Sequence, residues 1–184
     1  MGDPKKLKKK YKKPLHPWRK ERIEEEKGLF EVYGLKNKKE VWKAESKLKK
    51  YTSQAKRLIK GIGKQTEIEK QQLISSLNRL NLINEGAKLE DVLNLNIKNI
   101  LDRRLQSFVY KLGLAKSIKQ ARQFIIHGHI FINGKKLNAP SYIIKKDEED
   151  KITFNPRSSL SNAEHPERIS TKQEKELSKE NIVK

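Results

Sequence analysis

The stretch "ARQFIIHGHIFINGKK" (Ala121–Lys136) decides the fold that this sequence predicts. Its apolar residues first recur at helical spacing, and Gly128 is a typical residue for the end of that helix. The following residues alternate between apolar and polar as in a strand, and Asn133 followed by Gly134 is a common sequence for a type I′ hairpin turn. We therefore expect a helix that leads directly into a β-hairpin.

Helices and strands are also predicted on both sides of this stretch. One helix precedes it, because a single apolar stripe continues up to Gly113. The helix of the quoted stretch begins with a capping box formed by Ser117 and Gln120. Two candidate strands, joined by an acidic loop, follow the hairpin. These flanking segments are "ILDRRLQSFVYKLGL" (100–114), "YII" (142–144), "DEED" (147–150) and "KITF" (151–154). Residues 101–156 are thus predicted to form an α+β module of two helices and three to four strands.

The rest of the chain divides into three predicted parts. Residues 1–17 are rich in lysine and contain three prolines, which predicts an extended basic arm. Residues 18–100 are predicted to be helical, and the polar tail over 157–184 is expected to be poorly ordered when free. The predicted helices run from Trp18 towards Gly34, from Asn37 to near Gly61, from Glu67 to Leu80 and over Leu89–Leu95, with Asn37 and Glu40 forming a capping-box-like start.

The charge of the chain points to a polyanionic partner. Lysine and arginine number 43 against 23 acidic residues among 184, which gives a formal net charge of +20, and only 34% of the residues are hydrophobic. Residues 1–20 and residues 98–136 each carry nine basic and one acidic side chain. Such blocks repel themselves unless a counter-charge is supplied. Nucleic acid is therefore the first expectation, and an anionic membrane surface the second.

Several classes of function are excluded or disfavoured. No apolar run approaches the roughly 20 residues of a membrane span, and the lysine-rich N-terminus does not have the pattern of a secretory signal. The chain has no cysteine, which excludes disulfides, cysteine nucleophiles and thiolate zinc sites and suits a cytoplasmic protein. "GIGK" (61–64) lacks the spacing of a phosphate-binding loop. We expect no enzymatic activity, cofactor, metal, small-molecule substrate or membrane partner.

The two histidines of the quoted stretch allow three interpretations. They could bind a metal, but His127 and His129 would need further ligands, and the other histidines lie far away in the sequence. They could have a purely structural role, at the end of a helix and the start of a strand. Alternatively, they could contact phosphate or base, which the surrounding basic residues favour.

Cationic and amide side chains of the module fall on one predicted surface. A row on the second helix steps by three or four residues opposite the buried stripe, and further basic residues start the first helix and leave the hairpin. A solvated surface without a ligand would show a similar row, but here two helices and a hairpin contribute. The residues concerned are Arg103, Arg104, Lys116, Lys119, Gln120, Arg122, Gln123, His127, Lys135 and Lys136.

The sequence resembles a known family of ribosomal proteins. Residues 104–144, "RLQSFVYKLGLAKSIKQARQFIIHGHIFINGKKLNAPSYII", are similar to the RNA-binding module named after the universal S-four protein of the small ribosomal subunit. The start, "MGDPKKLKKKYKKPLHPWRKERIEEEKGLFEVYGLKNKKEVWKAE" (1–45), is similar to the archaeal and eukaryotic branch of that family. The resemblance covers residues 1–156 and leaves the tail outside.

The resemblance implies a fold, a ligand and a place in the cell. It implies two helices packed in an L against a small sheet, docked on small-subunit ribosomal RNA early in assembly, and a position near the channel where messenger RNA enters, beside other ribosomal proteins. By position it implies RNA contacts for Arg103, Arg104, Lys119, Gln120, Arg122, His127, His129, Asn133 and Lys135. The polar row on the second helix, the hairpin and the N-terminal segment add the predicted contacts Lys116, Gln123, Lys136, Lys8, Lys9, Lys10, Lys12, Lys13 and Trp18. Because Arg122 lies off the apolar stripe, its loss is expected to weaken RNA binding and to leave stability almost unchanged.

Two alternatives share the same module. One is a ribosome-biogenesis factor of the small nucleolar particle, which has a similar size and layout. The other is a stand-alone RNA chaperone, which does not need the N-terminal half. The complete His-Gly-His and Asn-Gly signature and the start from Pro14 to Trp18 favour the ribosomal protein.

Overall fold

The computed structural model describes residues 2, 9, 11–162 and 165–167. The described part is an α+β fold, as predicted, with seven α-helices and one three-stranded sheet. The helices are α1 (Lys20–Tyr33), α2 (Lys38–Lys60), α3 (Lys64–Arg79), α4 (Leu89–Leu93), α5 (Ile97–Asp102), α6 (Leu105–Lys111) and α7 (Ile118–Ile126). The strands are β1 (Ile130–Ile132), β2 (Lys135–Lys136) and β3 (Ile152–Phe154). None of the described helices is long and apolar enough to cross a bilayer.

The N-terminal helical region is organised around α2. Its apolar positions recur at helical spacing, and Val41, Ala44, Ala55 and Leu58 are buried. The residues after Gly61 turn back so that α3 and α4 pack on the C-terminal half of α2. The four helices predicted between residues 18 and 95 are thus present.

The predicted cap of α2 is wrong. Asn37 is the first residue before the helix, but its side chain makes no capping hydrogen bond. Glu40 does not reach back to the helix start, because its carboxylate binds Arg104 and Arg122 of the module instead. The guanidinium groups of two residues far away in the sequence therefore bind the carboxylate that was predicted to cap the helix.

The single helix predicted over residues 100–114 is broken into α5 and α6. The chain is extended at Arg104, with φ −75° and ψ 145°. Segment 142–144 takes the backbone hydrogen bonds at the break: the N–H of Leu105 donates to the Tyr142 carbonyl (2.8 Å), and the N–H of Ile144 donates to the Arg103 carbonyl (2.9 Å). Leu112 is 45% exposed, so the apolar stripe does not continue to it.

The hairpin has the predicted turn. Asn133 and Gly134 have φ values of 50° and 72°, and a type I′ turn requires positive φ at both positions. Strand β1 pairs antiparallel with β2 and, on its other side, with β3. The predicted strand over 142–144 does not join this sheet and forms only an isolated bridge between Ile143 and Arg104. The "DEED" segment is part of a 3₁₀ helix (Lys146–Lys151) rather than an open loop.

A shared core joins the module to the N-terminal region. The module has its own core between α6, α7 and the sheet. A second cluster contains residues from both regions: Tyr33, Leu35, Val41, Ala44, Ile100 and Leu101, with Ile143 packed against it. The side chain of Gln106 crosses the same junction and is 1% exposed. Its amide donates to the carbonyls of Tyr33 (3.3 Å), Gly34 (3.2 Å) and Ile118 (3.0 Å).

Candidate nucleic-acid interface

Helix α7 presents one apolar face to the core and one polar face to solvent. Ala121 and Ile125 are fully buried, whereas Lys119, Gln123 and His127, which are spaced four residues apart, are exposed. The predicted row therefore exists for these three residues and extends to the half-buried Lys116.

The capping box predicted at the helix start forms only in part, because the Gln120 side chain bonds Lys116 rather than the N–H of Ser117. The hydroxyl of Ser117 accepts from the N–H of Gln120 at 3.2 Å. The side-chain oxygen of Gln120 accepts from the N–H of Lys116 at 2.7 Å, and its amide donates to Glu167 at 2.7 Å. The side chain of Gln120 is thus hydrogen-bonded within the protein, and its main role is to fix the start of α7.

The hairpin continues the surface of α7. Asn133, Lys135 and Lys136 are exposed on the turn and β2. Lys136 lies across Gly128, since a Cβ placed on that glycine would stand 1.9 Å from the Lys136 Cε. The backbone of Gly128 also has a φ of +76°, which residues other than glycine rarely adopt. A glycine is therefore needed where the helix turns into the strand and the lysine passes over it.

The two histidines lie side by side in this surface. Their ring centroids are 6.3 Å apart, and Nδ1 of His129 is 2.7 Å from the hydroxyl of Ser158. Burial, followed by the positive charges of His127 and Lys136, holds the pKa of His129 below its ordinary value. A neutral His129 can hold Ser158, while the exposed His127 remains available for a ligand. No cluster of three or more metal-ligating side chains occurs in the described part of the chain.

The lysines of this surface have no ion-pair partner in the described part of the chain. Among residues 11–162 and 165–167, the ion pairs do not include Lys116, Lys119, Lys135 or Lys136. Their ammonium groups therefore remain available for an anionic partner. We define the α7–hairpin surface as the half-buried Lys116 together with the exposed Lys119, Gln123, His127, Asn133, Lys135 and Lys136.

Arg103 and Arg104, predicted to face RNA, are buried instead. They are 7% and 5% exposed. Arg103 pairs with Glu149, donates to the Ile144 carbonyl (3.1 Å) and lies over the Phe108 ring (4.7 Å). Their guanidinium groups hold elements together, so the expectation that they project to the ligand is corrected.

Arg122 also points into the protein. One of its nitrogens lies 2.8 Å from the Glu40 carboxylate, and another donates to the Gln106 side-chain oxygen at 3.4 Å. Arg104 lies 2.5 Å from the other oxygen of Glu40. Burial opposes the ionisation of Glu40, but the hydrogen bonds and charges of the two arginines outweigh it and hold its pKa below the ordinary value. The expectation that Arg122 has no part in stability is therefore at odds with its contacts.

The described part of the basic arm runs beside α2. The Tyr11 ring is 6.3 Å from that of Trp42, and the N–H of Lys12 donates to the Ser46 hydroxyl at 3.0 Å. Lys9, Lys12 and Lys13 are exposed, and Trp18 is 89% exposed. The predicted contacts Lys8 and Lys10 lie outside the described residues, as does most of the 157–184 tail.

A row of lysines on α2 was not among the predicted contacts. Lys39, Lys43 and Lys47 are exposed and follow one another at intervals of four residues. The signal was present, since this spacing places them on one face of a helix, away from the buried Val41 and Ala44.

Known proteins match both regions of the chain. Residues 103–150 match the S4 domain family, within the module predicted over 101–156. The "Small ribosomal subunit protein uS4" of Methanothermobacter thermautotrophicus is 52% identical over 160 residues, which cover 87% of this chain and 94% of that protein. The protein of the same name from Methanococcus aeolicus is 52% identical over 169 residues (91% and 96%), and that of Nanoarchaeum equitans is 48% identical over 161 residues (86% and 89%).

Proposed function

Because the chain belongs to the uS4 family of small ribosomal subunit proteins, we propose that it is a structural constituent of the small ribosomal subunit and binds small-subunit ribosomal RNA. The net charge of +20 supports a polyanionic ligand. The matched relatives are named as ribosomal proteins, and the chain is accordingly structural rather than an enzyme.

The observation that carries this proposal is the α7–hairpin surface. Its four lysines are free to neutralise phosphates, and the amides of Gln123 and Asn133 can donate to and accept from sugar hydroxyls or base edges. We propose these residues, His127, the arm lysines Lys9, Lys12 and Lys13, and Trp18 as RNA contacts. Arg103, Arg104, Arg122, Gln120 and His129 are proposed to act by positioning α6, α7 and β1.

The finer role follows from the family resemblance. We propose that the protein docks on ribosomal RNA early in assembly, beside other small-subunit proteins and near the channel where messenger RNA enters, in cytoplasmic ribosomes. The exposed Leu15 (88%) and Trp18 (89%) support a further contact in this assembly, because large apolar side chains this exposed gain from burial against a partner.

Salt titration tests the RNA-binding proposal. If six to ten phosphates are contacted, affinity for protein-free small-subunit ribosomal RNA should fall by about 10³–10⁵ between 50 and 200 mM salt. Filter binding or fluorescence anisotropy with transfer RNA as competitor would measure it. An affinity that barely changes over this range would refute electrostatic RNA binding.

Co-purification tests the ribosomal role against ribosome biogenesis. Tagged protein expressed in a related archaeon should sediment with intact small subunits and remain in translating ribosomes. Recovery only with precursor particles that contain processing factors would instead identify a biogenesis factor.

A further inference from the structure

The lysine row on α2 lies outside the module, and no described residue forms an ion pair with it. Lys39, Lys43 and Lys47 project from one face of the helix. Within the described ranges, the α2 lysines that form ion pairs are Lys38 and Lys49, and none of the three in the row does so. Eight residues separate the ends of the row, which is about 12 Å along the helix axis. The row is therefore longer than one phosphate group and can follow successive phosphates of a strand.

A cavity opens between this row and the module. It has a volume of about 330 Å³ and is lined by all three lysines, by Ser141, and by Arg104 and Arg122, among others. This volume is many times that needed to hold one water molecule, so the cavity can accept one phosphodiester group.

The cavity carries an unbalanced positive charge. Five cationic side chains line it, and Glu40 is the only carboxylate among its lining residues in the described structure. Glu40 is already bound to both arginines. In addition, the buried Nε of Arg104 has no hydrogen-bond partner among the described residues. An anion in the cavity would therefore balance a positive charge that the described residues leave uncompensated.

We propose that this cavity holds a backbone phosphate of RNA and that the α2 lysine row follows the same strand, as a second RNA site distinct from the α7–hairpin surface. The inference rests on the proposed function. It adds to the RNA-binding surface the face of the N-terminal region that bears Lys39, Lys43 and Lys47. Bound phosphate would be contacted by Lys43 and Lys47, while Ser141 offers a hydroxyl donor from the module. RNA would then contact both regions at their junction.

Charge-removing variants of the full chain test this site. Lys43→Gln and Lys47→Gln remove one cavity cation each, and Lys56→Gln removes an exposed lysine of the same helix that does not line the cavity. Affinity for protein-free small-subunit ribosomal RNA would be measured between 50 and 300 mM potassium chloride. Each cavity variant should lower the slope of log affinity against log salt by about 1 and weaken binding about fivefold at 0.15 M, and Lys56→Gln should change neither.

A fourth variant separates this inference from the proposed function. Lys119→Gln removes a cation of the α7–hairpin surface. If it lowers the slope while both cavity variants keep the wild-type slope, the protein binds RNA but not through the cavity, and only the inference is overturned. If the wild-type slope is itself near zero, the proposed function fails with it.

Two further probes distinguish the source of the anion. Inorganic phosphate and poly-glutamate would be titrated separately by calorimetry, each with and without ribosomal RNA. Binding of either probe that is lost in Lys43→Gln and displaced by RNA supports the proposal. Binding that depends on Lys43 but persists in saturating RNA would assign the cavity to a free phosphate or to an acidic protein, and would overturn the RNA assignment.

Discussion

The arginines at the junction and the lysines of the α7–hairpin surface carry the same charge but lie in opposite environments. Arg103 and Arg104 are buried, and with Arg122 they are held by carboxylates. Lys119, Lys135 and Lys136 are exposed, and no ion pair neutralises them in the described structure. Basic residues that are close together in the sequence thus serve two different purposes.

The chemistry of the two side chains explains this division. A guanidinium group is planar, weakly hydrated and able to donate several hydrogen bonds in fixed directions, so it tolerates burial beside a carboxylate. An ammonium group is compact and strongly hydrated, so it stays in water until a phosphate replaces part of its shell. At the junction, arginines join elements of the fold, whereas Lys119, Lys135 and Lys136 stay exposed.

The largest expected effect is the loss of Glu40, because it leaves the buried Arg104 and the half-buried Arg122 without their carboxylate. Glu40→Ala should lower the free energy of unfolding by about 3–5 kcal/mol, the usual cost of removing one partner of a buried ion pair. Glu45→Ala on the same helix is the control, since its pair with Lys49 is largely exposed. Urea denaturation would measure both, and equal losses would show that the junction is not a special source of stability.

The next effect concerns the module core rather than the junction. Ile125→Ala should cost about 2–5 kcal/mol because it leaves a cavity beneath α7, where Ile125 is fully buried. Its neighbour Ile126 is 49% exposed, so Ile126→Ala should cost far less. Thermal unfolding of the pair measures the difference, and a similar loss in both would mean that the inward face of α7 has been misassigned.

The comparison is sharpest for two cations of α7. Arg122→Ala should cost about 1.5–3 kcal/mol, because Glu40 and Gln106 lose a charged hydrogen-bond donor. Lys119→Ala should change stability by no more than about 0.5 kcal/mol and should weaken RNA binding. Both stability and RNA affinity would be measured for each variant. A destabilised Lys119→Ala with an unchanged Arg122→Ala would reverse the roles assigned to them.

The last effect is a gradual dependence on pH. The pKa of folded Glu40 is held below its ordinary value of 4.5 by Arg122 and Arg104, against the opposing effect of burial. Its contribution is therefore complete above that value and is lost as the pH falls through the folded-state pKa. The difference in unfolding free energy between wild type and Glu40→Gln should be constant from about pH 5.5 to 8 and should shrink in acid below about pH 4.5. A difference that grows in acid would contradict the assignment.

The elements that the sequence predicts well depend on residues that are close together in the sequence. The cap at Ser117 and the turn at Asn133 and Gly134 form from side chains and backbone within a few positions. The break between α5 and α6 could not be predicted in this way. It depends on hydrogen bonds with segment 142–144, about forty residues downstream, and no local pattern records them.

The candidate site shows the same limit. Charge and helical spacing predicted the exposed lysines of α7 and the hairpin, because a solvated side chain needs no particular partner. They did not predict the fate of the arginines, whose partner Glu40 is 64 residues from Arg104 and 82 from Arg122. A carboxylate near a helix start resembled a local cap, and only the fold reveals that it bridges two regions.

The side chain of Gln106 limits how this module can be moved between proteins. Its amide binds carbonyls at the end of α1 and in α7 at once, and a Cβ at Gly34 would stand 3.1 Å from that amide and 2.8 Å from Ile118. A segment excised at residue 101 would leave Gln106 without its acceptors at Tyr33 and Gly34 and would leave Arg104 and Arg122 without Glu40. Grafting this RNA-binding unit onto another scaffold therefore requires Gly34 and Glu40 to be transplanted with it, or Arg104, Gln106 and Arg122 to be redesigned.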